Sequence, residues 1–138
     1  MRTILFLSMF LMSLGVFAQE NNHVILSKEL FEASIQTNSE NLKRDIQLVD
    51  VRRPEEFEAG KIEGAVNMNV LEPETFKEQL ETLDKSKPVY IYCRSGNRSG
   101  KAAMLMQELG FKAIYDLEGG YLNWTSSSET KATEKNHQ

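Results

Sequence analysis

Cys93 is the sole cysteine of 138 residues, and it stands between an apolar run and the polar, glycine-bearing stretch RSGNRS at 94–99. A thiol becomes a nucleophile as its thiolate, which positive charge, a helix dipole or backbone N–H donors stabilise. Arg94, Arg98 and Lys101 place three positive charges within nine residues of an otherwise acidic chain. Gly96 and Asn97 are the residue types that tolerate left-handed backbone, which a loop wrapping its own centre needs. A strand, a tight turn and a helix starting near Ser99 would aim successive N–H groups inward as an anion nest. The predicted site is therefore Cys93 as nucleophile, with Arg94, Ser95, Gly96, Asn97, Arg98 and Ser99 holding an anion.

The usual partner of a catalytic cysteine is a histidine base. The two histidines are His23 and His137, near the two ends of the chain, and both are expected at the surface away from the loop. One cysteine and two terminal histidines make no metal ligand set, so neither a metal nor a cofactor is expected.

The elements that must position this loop are legible as alternating strands and helices. Residues 24–26 form a short apolar run, and Ser27 then reads as a helix N-cap ahead of Leu30, Phe31 and Ser34. Residues 36–45 are polar and loop-like. Residues 46–51 read as a buried strand and Pro54 opens a short helix that Gly60 ends. Residues 64–69 suggest another strand, and Pro73 starts a helix with Phe76, Leu80 and Leu83 on one side. Residues 88–92 read as the central strand, running directly into Cys93. A helix over 101–109, a strand over 111–117 and a short helix over 121–124 follow. This alternation predicts an α/β fold with a mainly parallel central sheet and helices on both faces. Ligands of such sheets bind beyond the C-terminal ends of strands, where Cys93 falls.

Residues 1–18 read as a secretory signal peptide, with Arg2, an apolar run of eleven residues over 4–14 and a small-residue end at Ala18. That run is short of the ~20 residues a permanent membrane helix requires. Export to the periplasm or medium is expected, with Gln19 as the mature start and no permanent membrane span. The rest is one domain over 24–124 followed by a disordered polar tail over 125–138. With 20 acidic against 16 basic side chains, the chain is a poor candidate for nucleic-acid binding. A lone cysteine allows no internal disulfide, so an exported domain must rest on its hydrophobic core.

Three segments together carry a family resemblance: LVDVRRPEEF at 48–57 with GKIEGA at 60–65, YCRSGNRSG at 92–100, and LEGGYLNW at 117–124. In this order and spacing the chain resembles a single-domain rhodanese over nearly all of the mature protein. The resemblance implies a rhodanese-like fold and a sulfurtransferase that carries sulfane sulfur as a persulfide on Cys93. It implies a small anionic sulfur donor such as thiosulfate, a thiol or cyanide acceptor, and structural roles for Asp50 and Arg52. Lys61 and Glu63 stand where the family often has histidine and proline, a change at the rim of the pocket.

Two other readings stay in view. One is a non-catalytic or partner-bound sulfur-carrier module serving an exported protein. The other is a cysteine phosphatase or arsenate reductase, whose loop resembles this one but has one more residue between cysteine and arginine. Six residues span Cys93 to Arg98, the shorter ring.

Overall fold

The computed structural model describes residues 21–41 and 46–126. The expected signal peptide, residues 42–45 and the tail from 127 onward lie outside the described residues, as does His137.

Among the described residues ten elements alternate: β1 (His23–Leu26), α1 (Lys28–Asn41), β2 (Gln47–Asp50), α2 (Pro54–Ala59), β3 (Val66–Asn67), α3 (Pro73–Leu80), β4 (Val89–Tyr92), α4 (Asn97–Glu108), β5 (Ile114–Leu117) and α5 (Gly120–Thr125). The strands form one sheet in the order β1-β5-β4-β2-β3. Every pair is parallel, so all five strands deliver their C-terminal ends to one edge. This is the expected α/β architecture, and β4 is its central strand.

Period-two alternation along the strands divides the core between the two faces. Val49, Val51, Val89, Ile91, Cys93 and Ile114 share one buried cluster with Phe76 and Leu80 of α3 and Ala102, Ala103 and Met106 of α4. Leu48, Tyr90, Tyr92 and Leu117 face the other way, against Phe31 of α1 and Tyr121 and Trp124 of α5. All four residues of β4 are buried, as a strand covered on both faces must be.

Several boundaries differ from the sequence reading. Ser27 does cap α1, its hydroxyl accepting from the Leu30 N–H at 3.3 Å, but the helix continues to Asn41 through residues read as loop. Polar residues at 36–41 are compatible with helix, and the Gln36 side chain donates to Glu32 one turn back at 3.2 Å. Of the strand expected over 64–69, Val66 and Asn67 alone pair. β5 begins at Ile114 because Phe111 instead closes α4, its N–H donating to the Met106 carbonyl at 3.1 Å. Gly110 supplies the positive φ of 91° that this helix ending requires. Thr125, read as tail, belongs to α5.

Candidate active site

Cys93 follows β4 directly, and Gly96, with φ 104° and ψ −10°, turns the chain so that α4 begins at Asn97. Gly96 thus takes the left-handed conformation expected of it, whereas Asn97 is already helical. The turn folds the backbone over the sulfur: the Gly96 N–H donates to Cys93 Sγ at 3.0 Å. The Ser99 hydroxyl lies 3.5 Å from Sγ and donates to the Gly96 carbonyl at 3.1 Å. The sulfur therefore sits at the positive end of a twelve-residue helix, within reach of one amide and one hydroxyl. The nucleophile expected of Cys93 would be an ionised sulfur open to solvent; Cys93 is instead 1% exposed, because it ends a strand whose same-face neighbours pack against α4.

Of the remaining loop residues, Arg94, Ser95 and Asn97 are exposed, as is Lys101. Arg98 turns away to Glu56, to which it donates two hydrogen bonds of 2.6 and 2.8 Å. This ion pair, principally its hydrogen bonds, holds the Glu56 carboxyl at about 2 and raises the Arg98 guanidinium further above its ordinary value. Glu56 also accepts from the Arg53 N–H at 3.1 Å, so one carboxylate caps α2 and ties it to the loop. Arg53, Glu55, Glu56, Leu71 and Arg98 line an open cleft of about 650 Å³ beside the loop.

Two buttresses hold the loop from behind. The first is Arg52, whose guanidinium donates to Asp50 at 2.6 Å and to the Gly60 carbonyl at 2.7 Å, and lies 4.3 Å from the Tyr121 ring centre. Both partners of this pair are buried. Burial alone would lower the Arg52 pKa, but the Asp50 hydrogen bonds and charge more than offset it. The neighbouring Tyr92 hydroxyl accepts from the Ile62 N–H at 3.0 Å, and burial pushes its phenol up. Asp50 and Arg52 thus bind the end of β2 to the segment after α2.

The second buttress is the start of α5. The Tyr121 N–H donates to the Cys93 carbonyl at 2.8 Å and the Leu122 N–H to the Arg94 carbonyl at 3.0 Å. Gly120, with φ 59°, lies so close that a Cβ there would come within 2.5 Å of the Cys93 carbonyl oxygen. A side chain at 120 would push the cysteine off its position, which gives the second glycine of the LEGG segment its physical reason.

Sequence reasoning singled out neither Glu56 nor Asp116. Glu56 could have been suspected from its place in the first turn of a proline-started helix. Asp116 sits in an apolar strand and is 3% exposed, a buried carboxyl that the sequence pattern alone marks as unusual. His23, expected at the surface, instead sets its Nε2 3.1 Å from Asp116 Oδ2. Among the described residues no group of three or more His, Cys, Asp or Glu side chains could hold a metal ion. No described helix is long and apolar enough to cross a membrane.

A parallel α/β sheet with a buried thiol at the end of its central strand, wrapped by a six-residue Cys-to-Arg loop, defines a class of protein. The description Rhodanese-like domain matches residues 34–127. The chain is 41% identical over 88 residues to the uncharacterized protein YqhL of Bacillus subtilis, covering 64% of this chain and 68% of that one. It is 36% identical over 94 residues to the thiosulfate sulfurtransferase GlpE of Coxiella burnetii, covering 68% and 85%. Among solved structures, a rhodanese-related protein of Thermoplasma volcanium superposes with a TM-score of 0.59 at 27% identity, over 73% of this chain and 89% of that one. The chain belongs to the rhodanese-like domain family.

Proposed function

We propose that this protein is a sulfurtransferase that carries sulfane sulfur as a persulfide on Cys93. The observation that carries the reading is the Gly96 N–H directed at Cys93 Sγ from the start of α4, a donor placed to favour a sulfur anion. In the reaction the Cys93 thiolate attacks the outer sulfur of a donor such as thiosulfate, and sulfite leaves with the bonding electron pair. A thiol or cyanide then attacks the terminal sulfur of the persulfide, and the thiolate is released. Arg94, exposed beside the loop, attracts the anionic donor, while Arg98 reaches it only by loosening Glu56. The name of the Coxiella relative and the six-residue loop, too short a ring for phosphate, support sulfur transfer over phosphate chemistry. We place the reaction outside the cytoplasm on the strength of residues 1–18, and a mature N-terminus at Gln19 tests that placement.

Purified protein treated with thiosulfate should gain one sulfur atom by intact mass and form thiocyanate from cyanide. Cys93→Ser should lose both. Hydrolysis of an aryl phosphate without any mass gain would replace this reading with a phosphatase. Burial of the sulfur favours a second reading, a carrier module whose loop opens on an exported protein partner. That reading predicts a stable partner complex and no transfer from free thiosulfate.

A further inference from the structure

The cleft beside the loop, about 650 Å³ in volume, is far larger than an inorganic anion the size of thiosulfate needs and has the dimensions of a site for an organic ligand. Two arginines and two glutamates line it with Leu71, so the lining carries no formal net charge that would concentrate a dianion. Leu71 stands two residues before α3 and is 44% exposed. Its N–H donates to the Asn69 side chain at 3.1 Å, which fixes the turn from its backbone and leaves the apolar side chain in the cleft. An exposed apolar side chain within a charged cleft gains when the apolar part of a ligand covers it.

Arg98 meets this cleft with its guanidinium already engaged. Both of its terminal nitrogens donate to Glu56, at 2.6 and 2.8 Å, and this is the fork that would otherwise receive two oxygens of a sulfur oxyanion. Glu56 cannot drift away easily, because the Arg53 N–H also donates to it at 3.1 Å and holds the carboxylate over the first turn of α2. Of the loop's two arginines, exposed Arg94 has no ion pair among the described residues, whereas Arg98 has one. We propose that Glu56 is a specificity-determining residue: by occupying the Arg98 fork it makes the site favour a singly charged organic sulfur donor, its apolar body along Leu71, over doubly charged thiosulfate. Arg94 attracts the one negative charge such a donor carries. A thiosulfonate has this chemistry. The Cys93 thiolate attacks its outer sulfur, the S–S bond breaks, the sulfinate leaves with the bonding pair, and the persulfide anion remains on Cys93.

The transfer step rests on the sulfurtransferase reading, but the binding preference does not, and binding to Cys93→Ser separates the two. In that background, which holds a donor without turnover, calorimetry should find benzenethiosulfonate bound about fivefold or more tighter than thiosulfate. Adding Glu56→Gln should tighten thiosulfate about threefold to fivefold, the effect of freeing one screened rim charge, and change benzenethiosulfonate by less than about twofold. Adding Leu71→Ser should instead weaken benzenethiosulfonate about threefold to tenfold, and thiosulfate far less. With Cys93 in place, the ratio of kcat/KM for the two donors should move in the same directions, whereas a merely structural Glu56 would lower both values alike. Equal shifts for both donors in Glu56→Gln would overturn the proposal. Thiosulfate bound as tightly as benzenethiosulfonate with Glu56 intact would overturn it too, and that result stands even where Glu56→Gln does not fold. The expected binding preference with no mass gain on Cys93 from either donor would overturn the sulfurtransferase reading and leave this one standing.

Discussion

Two arginine–carboxylate pairs flank the loop, and they do different work. Arg52 and Asp50 are 4% and 0% exposed, lie two residues apart in the chain, and share their guanidinium with a backbone carbonyl and an aromatic ring. Arg98 and Glu56 are 20% and 27% exposed and are 42 residues apart. A buried ion pair contributes little over an apolar replacement, yet removing one partner strands an uncompensated charge. A pair at the rim is partly screened, so it can open at modest cost. The inner pair therefore ties the end of β2 to the segment after α2, and the outer pair holds at the rim the guanidinium that the proposed anionic donor would meet.

The largest test of that contrast is Arg52→Ala. It should destabilise the fold by about 3–5 kcal/mol, since it leaves Asp50 charged and buried and the Gly60 carbonyl without its donor. Chemical denaturation reads the loss, and a loss no greater than that of Arg98→Ala would erase the distinction between the pairs.

Glu56→Gln should be milder, on the order of 1–2 kcal/mol near neutral pH once its partial exposure is allowed for. The folded-state pKa of Glu56 lies at about 2, below its ordinary value of 4.5, so the pair's stabilisation is complete above the ordinary value. It fades as pH falls from there toward 2. Denaturation at pH 6 should separate wild type from Glu56→Gln, and at pH 2 the two should converge; a constant gap would show that the carboxylate's charge is not what holds Arg98. With Arg98 released, the KM for thiosulfate should fall in this variant.

Arg94→Ala should have the smallest effect. Its side chain is exposed, so stability should move by less than about 0.5 kcal/mol. The rate with thiosulfate should drop several-fold at low salt and converge with wild type at high salt, because exposed charges act through screened attraction. A salt-independent drop would assign Arg94 a direct contact with the donor instead of steering.

Much of this architecture can be read without coordinates. The branched apolar run before Cys93, the proline starts of α2 and α3 and the glycine after α4 announce their elements because backbone preference is local. Gly96 likewise advertises a left-handed turn, and β4 then carries the cysteine to the ligand-binding edge of the sheet. The end of α1 is less legible, since its polar residues suit helix and loop alike and local preference there is weak. Asp116 escaped notice because a single carboxyl in an apolar strand says nothing of which groups reach it.

By itself, the sequence determined the order of strands and helices, the single thiol, and the local turn that places an amide on it. Those follow from interactions a few residues long: side-chain period, fixed proline φ and glycine's freedom at positive φ. Tertiary structure alone decided that Arg98 finds Glu56, that Gly120 closes against the Cys93 carbonyl, and that His23 reaches Asp116 across 93 residues of chain. It also decided that the sulfur is buried. Contacts of that span depend on which faces the sheet brings together, and an exposed or buried fate belongs to the packed layers and not to any residue alone.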